Sequence, residues 1–296
     1  MSLIYTLDTH LKYPHLKFAV THGKHCHDFP THSHDFSELF IVVKGTATHT
    51  VADYHYPLSQ GDVFVINGQV EHGFSDVDEL ILINLMFESQ SPLFETSALK
   101  LLPGYQALFN IEPLARQKAD YTAKLNLSLQ QYAEVEKLVL AIDEEYRQAP
   151  SGFETMLNAQ LQQLIIILAR FYQGDDIQMN RSTMILSRAL VYLEEHYRRD
   201  DLRTLQVAAA SFVSVRQLER LFRDYLQTSP NQYLKDKRLQ FAYDNLMGSP
   251  ELSIQQIADN AGYADSNYFS KCFRHKFGQN PRDYRKSALC LSQQRQ

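Results

Sequence analysis

The sequence has few cysteines and no long apolar run. Its three cysteines are Cys26, Cys272 and Cys290. They are odd in number, widely spaced and without a CxxC pair, which argues against a disulfide framework or a cysteine-rich zinc site. No apolar stretch is long enough to cross a membrane, and the start of the chain lacks a basic segment followed by an apolar one. We therefore expect a cytoplasmic protein with no membrane contact.

The charge is divided unevenly along the chain. Residues 1–179 contain 11 Lys and Arg against 22 Asp and Glu, a net charge of −11, whereas residues 180–296 contain 18 against 12, a net charge of +6. A length of 296 residues allows two domains with separate cores. Because the basic excess is confined to the second half, we expect that half alone to bind nucleic acid.

The stretch from Leu252 to Arg285 has the pattern of a helix-turn-helix. Apolar residues at helical spacing lead to Gly262, whose permissive backbone suits a sharp turn, and Asp265 or Ser266 can cap a second helix. One face of that helix is apolar, and the other could reach a DNA groove. The polar face carries Asn267, Ser270, Lys271 and Arg274.

A second copy of this pattern lies upstream. Ser214 precedes the helical pattern VRQLERLFRDYL, whose polar face is lined by arginines: Arg216, Arg220 and Arg223. Ser229 and Pro230 open a connecting helix that stops at Gly248. At 1.5 Å per residue this helix spans about 27 Å. It could therefore hold two recognition helices in successive major grooves, which lie about 34 Å apart.

Over roughly its last hundred residues the chain resembles the AraC/XylS family of transcription regulators. The resemblance covers the whole spaced pattern RQLERLFRDYLQTSPNQYLKDKRLQFAYDNL and IADNAGYADSNYFSKCFRHKFGQNPRDYR. Many relatives have glycine at the first turn, where this chain has Phe212, so the geometry of that turn stays open. Within the family, the GDVFVI and DSNYFS stretches are most similar to regulators of sugar use, such as the rhamnose regulators.

The resemblance implies that exposed residues near the start of each second helix enter the major groove. Arginine can pair with guanine, asparagine with adenine and aspartate with cytosine, so the predicted base readers are Arg216, Gln217, Arg220, Asp265 and Asn267. Other residues would contact phosphates or complete the surface: Lys271, Arg274 and Arg285, with Arg223 and Ser270. Alternatively, Arg216 or Arg220 only forms surface ion pairs with Glu219 or Asp224.

The first half begins with strand-like sequence. Short β-branched and aromatic segments separated by glycine and proline predict an all-β barrel or jelly roll. A spaced motif, HxHxxxExxxxxxG, and a later glycine followed by histidine look like the two motifs of the cupin fold. The residues concerned are His32, His34, Glu38, Gly45, Gly61 and His72. Asn67 and Gln69 replace the proline and second glycine that are usual in the later motif.

Strand geometry gives this motif its chemistry. Residues two and four apart project to the same face, so His32, His34 and Glu38 can converge inside the barrel and bind a ligand, joined by His72. The same four residues could hold a divalent transition metal such as Zn, Ni, Fe or Mn, as the corresponding residues do in cupin enzymes. In sensory cupin domains of AraC-type regulators the motif often lacks metal and lines a small-molecule pocket. We therefore expect no required cofactor.

Two amphipathic helices follow, at 128–148 and 153–172. Either they form an ordinary antiparallel pair on the barrel, or their remaining apolar face joins two protomers, as in similar regulators. We predict a two-domain α+β fold with an N-terminal cupin-like jelly-roll barrel and a C-terminal all-α domain. The predicted segments are a ligand-sensing barrel at 1–127, a dimerising helical pair at 128–173, a linker at 174–181 and an AraC-type DNA-binding domain at 182–290.

These features together predict a ligand-responsive, sequence-specific transcription regulator, an activator of a carbohydrate-use operon and not an enzyme. Its expected partners are double-stranded DNA, a small-molecule effector that is a sugar, RNA polymerase and a second copy of the chain. One alternative is a metal-dependent cupin isomerase or dioxygenase fused to a DNA-binding tail. The other is a constitutive regulator whose barrel only dimerises.

Overall fold

The computed structural model describes residues 3–88, 93, 98–117, 124–172, 181–248 and 251–286. The chain divides into two compact units, Met1–Ser187 and Arg188–Gln296. The first is rich in strands and the second is helical, which confirms the predicted two-domain α+β class. Most of the predicted linker at 174–181 lies outside the described residues. Across the described ranges, no helix is long and apolar enough to span a bilayer.

Within the described part of the first unit, eight strands form one sheet. They are β1 (Leu3–Tyr5), β2 (Phe18–His25), β3 (Phe29–His34), β4 (Ser37–Val51), β5 (Tyr54–Leu58), β6 (Asp62–Asn67), β7 (His72–Phe87) and β8 (Leu125–Asn126). Their order is β1-β3-β7-β4-β6-β8, with β2 also paired to β7 and β5 to β4. Register shifts between the long β4 and β7 bend this central pair.

Both faces of the central strands are buried, which explains the nearly continuous apolar run in β4. Leu39 and Ile41 pack into the core that helices cover, which we call the outer core of the sheet. Phe40 and Val42 pack into a second core on the other face. Alternating polar residues are absent from this run because neither face meets water. We call the second core, built around Phe40, Phe64 and Phe74, the barrel interior.

A short helical segment lies between β7 and β8, in the stretch 98–117. It contains α1 (Pro103–Tyr105), a π-helical turn (Gln106–Ile111) and α2 (Glu112–Ala115). It packs closely on α4 (Phe153–Tyr172) at Gly104, where an added Cβ would lie 2.0 Å from the carbonyl oxygen of Ala169. Only glycine therefore allows this backbone-to-backbone packing.

The predicted helix pair is present as α3 (Leu129–Gln148) and α4 (Phe153–Tyr172). A capping box starts α3, because the Ser128 hydroxyl accepts from the Gln131 backbone and the Gln131 side chain accepts from the Ser128 backbone. The apolar stripes of both helices pack into the outer core of the sheet.

The second unit is built from helices. They are α5 (Arg181–His196) from Arg188 onward, α6 (Thr204–Ala210), α7 (Val215–Leu226), α8 (Pro230–Gly248), α9 (Ile254–Asn260) and α10 (Ser266–Phe277), followed by a helical turn at 281–286. The 19 residues of the connecting helix α8 span about 28 Å. The predicted cap at Ser229 is confirmed, since its hydroxyl accepts from the Gln232 backbone.

Candidate ligand pocket and DNA-binding surface

The residues of the cupin-like motif lie on three neighbouring strands. His32 and His34 lie on β3, Glu38 on β4 and His72 on β7. All four are buried, with at most 6% of each residue exposed. Glu38 lies two residues before Phe40, and His72 lies two before Phe74, so both share the interior face of the sheet.

Three of the four predicted residues converge. The Glu38 Oε2 atom lies 3.6 Å from Nε2 of His34 and 3.9 Å from Nε2 of His72. The potential ligand atoms of this trio all lie within 4.8 Å of one another. His34 Nδ1 donates to the Phe36 carbonyl at 2.6 Å, which leaves a lone pair on Nε2. Neither Nε2 atom has a hydrogen-bond partner among the described residues, so the trio could accept a metal ion or a polar ligand.

His32 lies beside this trio and takes no part in it. Its Nδ1 donates to the Pro30 carbonyl at 3.1 Å, and its ring packs 4.2 Å from the His72 ring and 5.2 Å from the Tyr5 ring, centroid to centroid. Burial lowers the pKa of His32. The predicted set of four is therefore a trio with an adjacent neutral imidazole.

A fourth buried histidine, His49, was missed by the motif. Its Nε2 lies 3.2 Å from Nδ1 of His72, and its ring is 5.3 Å from the Phe64 ring. Burial lowers the pKa of His49 to about 3, and that of His72 well below its usual range, so both rings are neutral near pH 7. The available signal was strand alternation, because His49 shares a face with Ala47 and Val51, which also pack into the barrel interior.

A buried ion pair borders the barrel interior. Arg116 is fully buried, with its guanidinium carbon 4.1 Å from the centre of the Phe64 ring. It donates to Glu112 Oε2 at 2.7 Å, and the Tyr172 hydroxyl donates to Glu112 Oε1 at 2.5 Å. The Tyr56 hydroxyl also donates to the Arg116 carbonyl at 2.6 Å. This network connects the interior of the sheet to the last turn of α4.

The two helix-turn-helix units have matching turns. In the first, the Val213 N–H donates to the Ala208 carbonyl at 3.1 Å, and in the second, the Tyr263 N–H donates to the Ala258 carbonyl at 3.0 Å. The residue before each donor has a positive φ, so Phe212 takes the conformation that glycine takes in the second unit. The geometry of the first turn is therefore kept without glycine.

The predicted readers of the first unit form an open surface. Along the start of α7, a concave surface is lined by Ser214, Arg216, Gln217, Glu219, Arg220 and Arg223. The three arginines are exposed, and within the described residues none lies within 4 Å of a carboxylate oxygen. The alternative in which Arg216 or Arg220 is held in an ion pair is therefore absent from this structure.

In the second unit, two of the predicted side chains have structural bonds. Asp265 Oδ1 accepts from the Asn267 N–H at 2.8 Å and caps α10, as predicted. The Ser270 hydroxyl donates to the Ser266 carbonyl at 2.8 Å. Three predicted side chains remain exposed on this helix: Asn267, Lys271 and Arg274.

Comparisons with known proteins find similarity in both halves of the chain. A helix-turn-helix domain model matches residues 207–287, and a cupin domain model matches residues 20–85. The HTH-type transcriptional activator RhaS of Escherichia coli is 27% identical over 260 residues, which cover 87% of this chain and 88% of RhaS. The chain belongs to the AraC family of transcription regulators. Its second unit is the AraC-type DNA-binding domain, and its first contains the family's cupin region.

This AraC-family chain is also similar to solved structures of other regulators. A regulator with an AraC-type DNA-binding domain from Chromobacterium violaceum is 34% identical, with a TM-score of 0.32. The match covers 35% of this chain and 91% of the regulator's solved chain. The C-terminal domain of the response regulator AraT from Geobacillus stearothermophilus is 33% identical, with a TM-score of 0.34. The match covers 35% of this chain and 84% of the AraT domain.

The predicted phosphate contact of Arg285 does not agree with the position of its side chain. Arg285 donates from Nη1 to the Leu252 carbonyl at 2.7 Å, and its Nε and Nη2 atoms are shielded from solvent. A guanidinium held in this way ties the final helical turn to the segment before α9. Arg285 is therefore placed to stabilise the domain and not to hold a phosphate, because a surface cation must be free to reach the duplex.

Proposed function

We propose that this AraC-family chain is a ligand-responsive transcription activator. Residues 188–296 would bind operator DNA through α7 and α10 in successive major grooves, and residues 1–187 would bind the effector. The observation that carries the DNA-binding role is the pair of matched turns, each followed by a helix with an exposed polar face. The name of RhaS supports the activator role. An activator of this kind would also contact RNA polymerase.

Binding titrations test the DNA-binding role. Operators would first be selected from random-sequence duplex DNA with the full chain, and then titrated at two salt concentrations. Arg216→Ala or Asn267→Ala should cost about 1–3 kcal/mol at the selected site and relax the preference at one base pair. Lys271→Ala or Arg274→Ala should weaken binding to all sequences and lower the salt slope by about one. Equal loss on every sequence for Arg216→Ala and Asn267→Ala would contradict these base-reading roles.

We propose that the effector is a polar molecule of sugar size, bound at the trio of His34, Glu38 and His72. Small barrels enclose one ligand among a few convergent polar groups, and the two free Nε2 atoms are suitable acceptors for hydroxyl groups. A panel of sugars should contain one that raises the melting temperature of the full chain. His34→Ala should abolish that shift and leave the affinity for selected DNA unchanged. The exposed His27→Ala is the matched control.

The same trio would also fit a divalent transition metal. Two imidazoles and one carboxylate are a donor set that Zn, Ni, Fe or Mn accepts. Bound metal would present a Lewis-acidic centre to a ligand hydroxyl group. Metal analysis of the purified chain tests this, because an ion held by the trio would give about one ion per chain in the wild type and in His27→Ala, and none in His34→Ala. Equal metal content in all three proteins would place the ion elsewhere.

We propose that the chain acts as a regulator without turnover. The rival is a cupin isomerase or dioxygenase, for which the metal would be essential to a reaction. Product analysis after incubation of the metal-loaded chain with the stabilising sugar separates the two, since conversion of the sugar would favour the enzyme. Exposed apolar side chains on the outer face of α3 also support a homodimer as the working form.

A further inference from the structure

The two recognition helices can be aligned residue by residue. Both α7 and α10 have 12 residues. Each begins after a capping residue whose carbonyl accepts the first helical bond, from Leu218 N–H to Ser214 and from Phe269 N–H to Asp265, both at 3.0 Å. Four positions on the polar sides of the two helices can then be paired. The pairs are Arg216 with Asn267, Gln217 with Tyr268, Arg220 with Lys271, and Arg223 with Arg274.

The alignment places Tyr268 at the position of a predicted base reader, Gln217. The sequence pattern did not single out Tyr268, since the polar face was defined by Asn267, Ser270, Lys271 and Arg274. In the structure its exposed fraction is 55%, whereas the next residue, Phe269, is fully buried. A large aromatic ring is thus exposed in the first turn of α10, where groove-facing residues are expected.

The Tyr268 ring is held in place from the inner side. It lies 6.2 Å from the ring of Tyr263, centroid to centroid, and Tyr263 is itself packed 5.2 Å from Phe269. A side-chain hydrogen bond to Cys272 raises the pKa of Tyr268, so the phenol is neutral at physiological pH. A fixed, uncharged ring presents apolar surface to the duplex without repelling its phosphates.

The chemistry of the two helices therefore differs at corresponding positions. The first unit has arginines at three of the four paired positions, and the second has an amide, an aromatic ring, a lysine and an arginine. Arginine favours O6 and N7 of guanine, asparagine favours adenine, and apolar side chains contact the C5-methyl group of thymine. We infer that Tyr268 is a specificity-determining residue that packs on a thymine methyl group, so that α10 selects an A·T-containing half-site and α7 a guanine-containing one.

This inference rests on the proposed DNA-binding function, and deoxyuridine substitution tests it. Operators are selected with the full chain from random-sequence duplexes, and each thymine of the selected site is then replaced singly by deoxyuridine, which lacks only the methyl group. For the wild type, one replacement in the α10 half-site should weaken binding about fourfold, the equivalent of ~0.8 kcal/mol for one buried methyl-sized group.

Four variants of the full chain complete the test. Tyr268→Ala should bind the thymine and deoxyuridine operators equally, Tyr268→Phe should keep the fourfold difference, and Met247→Ala, an exposed apolar residue on α8, is the control. Tyr268→Gln copies the first unit and should select a different base pair at that position. Circular dichroism melting of each variant checks folding, and Tyr268→Phe retains the ring packing if Tyr268→Ala does not fold.

The possible failures are distinguishable. If Tyr268→Ala weakens all operators equally and keeps the deoxyuridine effect, the ring has a packing or phosphate role and the inference is overturned. If no thymine is sensitive while the wild type still selects one sequence, the inference fails and the proposed function stands. If the wild type binds all duplexes equally, both fail. Loss of the deoxyuridine effect in Tyr268→Phe would assign recognition to the hydroxyl and also overturn the methyl contact.

Discussion

Phe212 and Gly262 occupy the same turn position in the two helix-turn-helix units, with φ angles of 58° and 80°. Their surroundings differ. Phe212 is 81% exposed, with the Arg188 guanidinium carbon 5.5 Å from its ring centre. An added Cβ on Gly262 would lie 2.8 Å from the carbonyl oxygens of Tyr197 and Arg198. One turn therefore tolerates a side chain in a strained conformation, and the other tolerates none.

Replacing Phe212 with glycine should stabilise the protein. A non-glycine residue in the left-handed region costs about 1–2 kcal/mol, and the contact with Arg188 returns only about 0.5–1 kcal/mol at an exposed site. We expect Phe212→Gly to raise the free energy of unfolding by about 0.5–1 kcal/mol, as measured by urea unfolding. Arg188→Ala is the companion variant, and a loss of stability in Phe212→Gly larger than in Arg188→Ala would refute the idea of strain.

The corresponding change in the second unit should have the opposite sign. Gly262→Ala combines an unfavourable φ with a clash against backbone oxygens that cannot rotate away. We expect a loss of about 2 kcal/mol or more in the free energy of unfolding. Gly278→Ala is the matched control, since Gly278 also has a positive φ but no atom within 4 Å of an added Cβ. An equal effect in both variants would mean that φ alone accounts for the cost.

Arg285→Ala should affect stability and not the salt dependence of DNA binding. It removes the hydrogen bond to the Leu252 carbonyl, and a bond from a charged donor is worth about 1.5–3 kcal/mol. The salt slope of binding should match that of the wild type, whereas Arg274→Ala should lower it by about one. Salt-dependent titrations compare the two variants, and a lower slope for Arg285→Ala would restore its predicted phosphate contact.

The pair of Glu112 and Arg116 should be more costly to break than to replace. Glu112→Gln leaves the Arg116 charge buried beside a neutral amide, so we expect a loss of about 3–5 kcal/mol in the free energy of unfolding. The double change Glu112→Leu with Arg116→Met removes both charges and should cost much less. Tyr172→Phe, which removes only the hydroxyl donor, should cost about 1–3 kcal/mol. Urea unfolding of the three variants gives the comparison, and a loss in the double variant as large as that in Glu112→Gln would contradict the prediction.

The outer face of α3 should mediate dimerisation. Leu129 and Leu140 are 82% and 51% exposed, and residues eleven apart fall on one helix face after about three turns. Leu140→Glu would place a charge in an apolar contact, so the full chain should sediment as a monomer at tens of micromolar, whereas the wild type should be a dimer. Glu134→Gln, on another face of α3, is the control. A wild type that is itself monomeric would contradict the prediction.

Periodicity and capping chemistry were enough to predict α3, α4 and the helices of the two helix-turn-helix units, but not the helical segment at 103–115. The cap at Ser128 and the stripes of α3 and α4 are local signals, and so are the paired helix-turn-helix patterns. Local signals failed where tertiary packing decides. Glu112 and Arg116 are four residues apart, as in any solvated helical ion pair, and nothing in that spacing indicates complete burial.

The histidine cluster shows the same limit of sequence patterns. Alternation predicted that His32 and His34 share a face, but not that His34 alone joins Glu38 and His72. The pairing of β3 with β7 shifts register between Phe29 and His32. Such a bulge re-aims side chains, and its effect cannot be obtained from spacing in the sequence alone.

The contact between Gly104 and Ala169 restricts how this chain can diverge. Every side chain at position 104 would overlap main-chain atoms of α4, and no rotamer change relieves an overlap with backbone. Compensation would require α4 to move, and α4 also contributes to the outer core of the sheet. The helix pair and the strands must therefore evolve together, because substitutions on the sheet face that packs against α4 require compensating substitutions along α4.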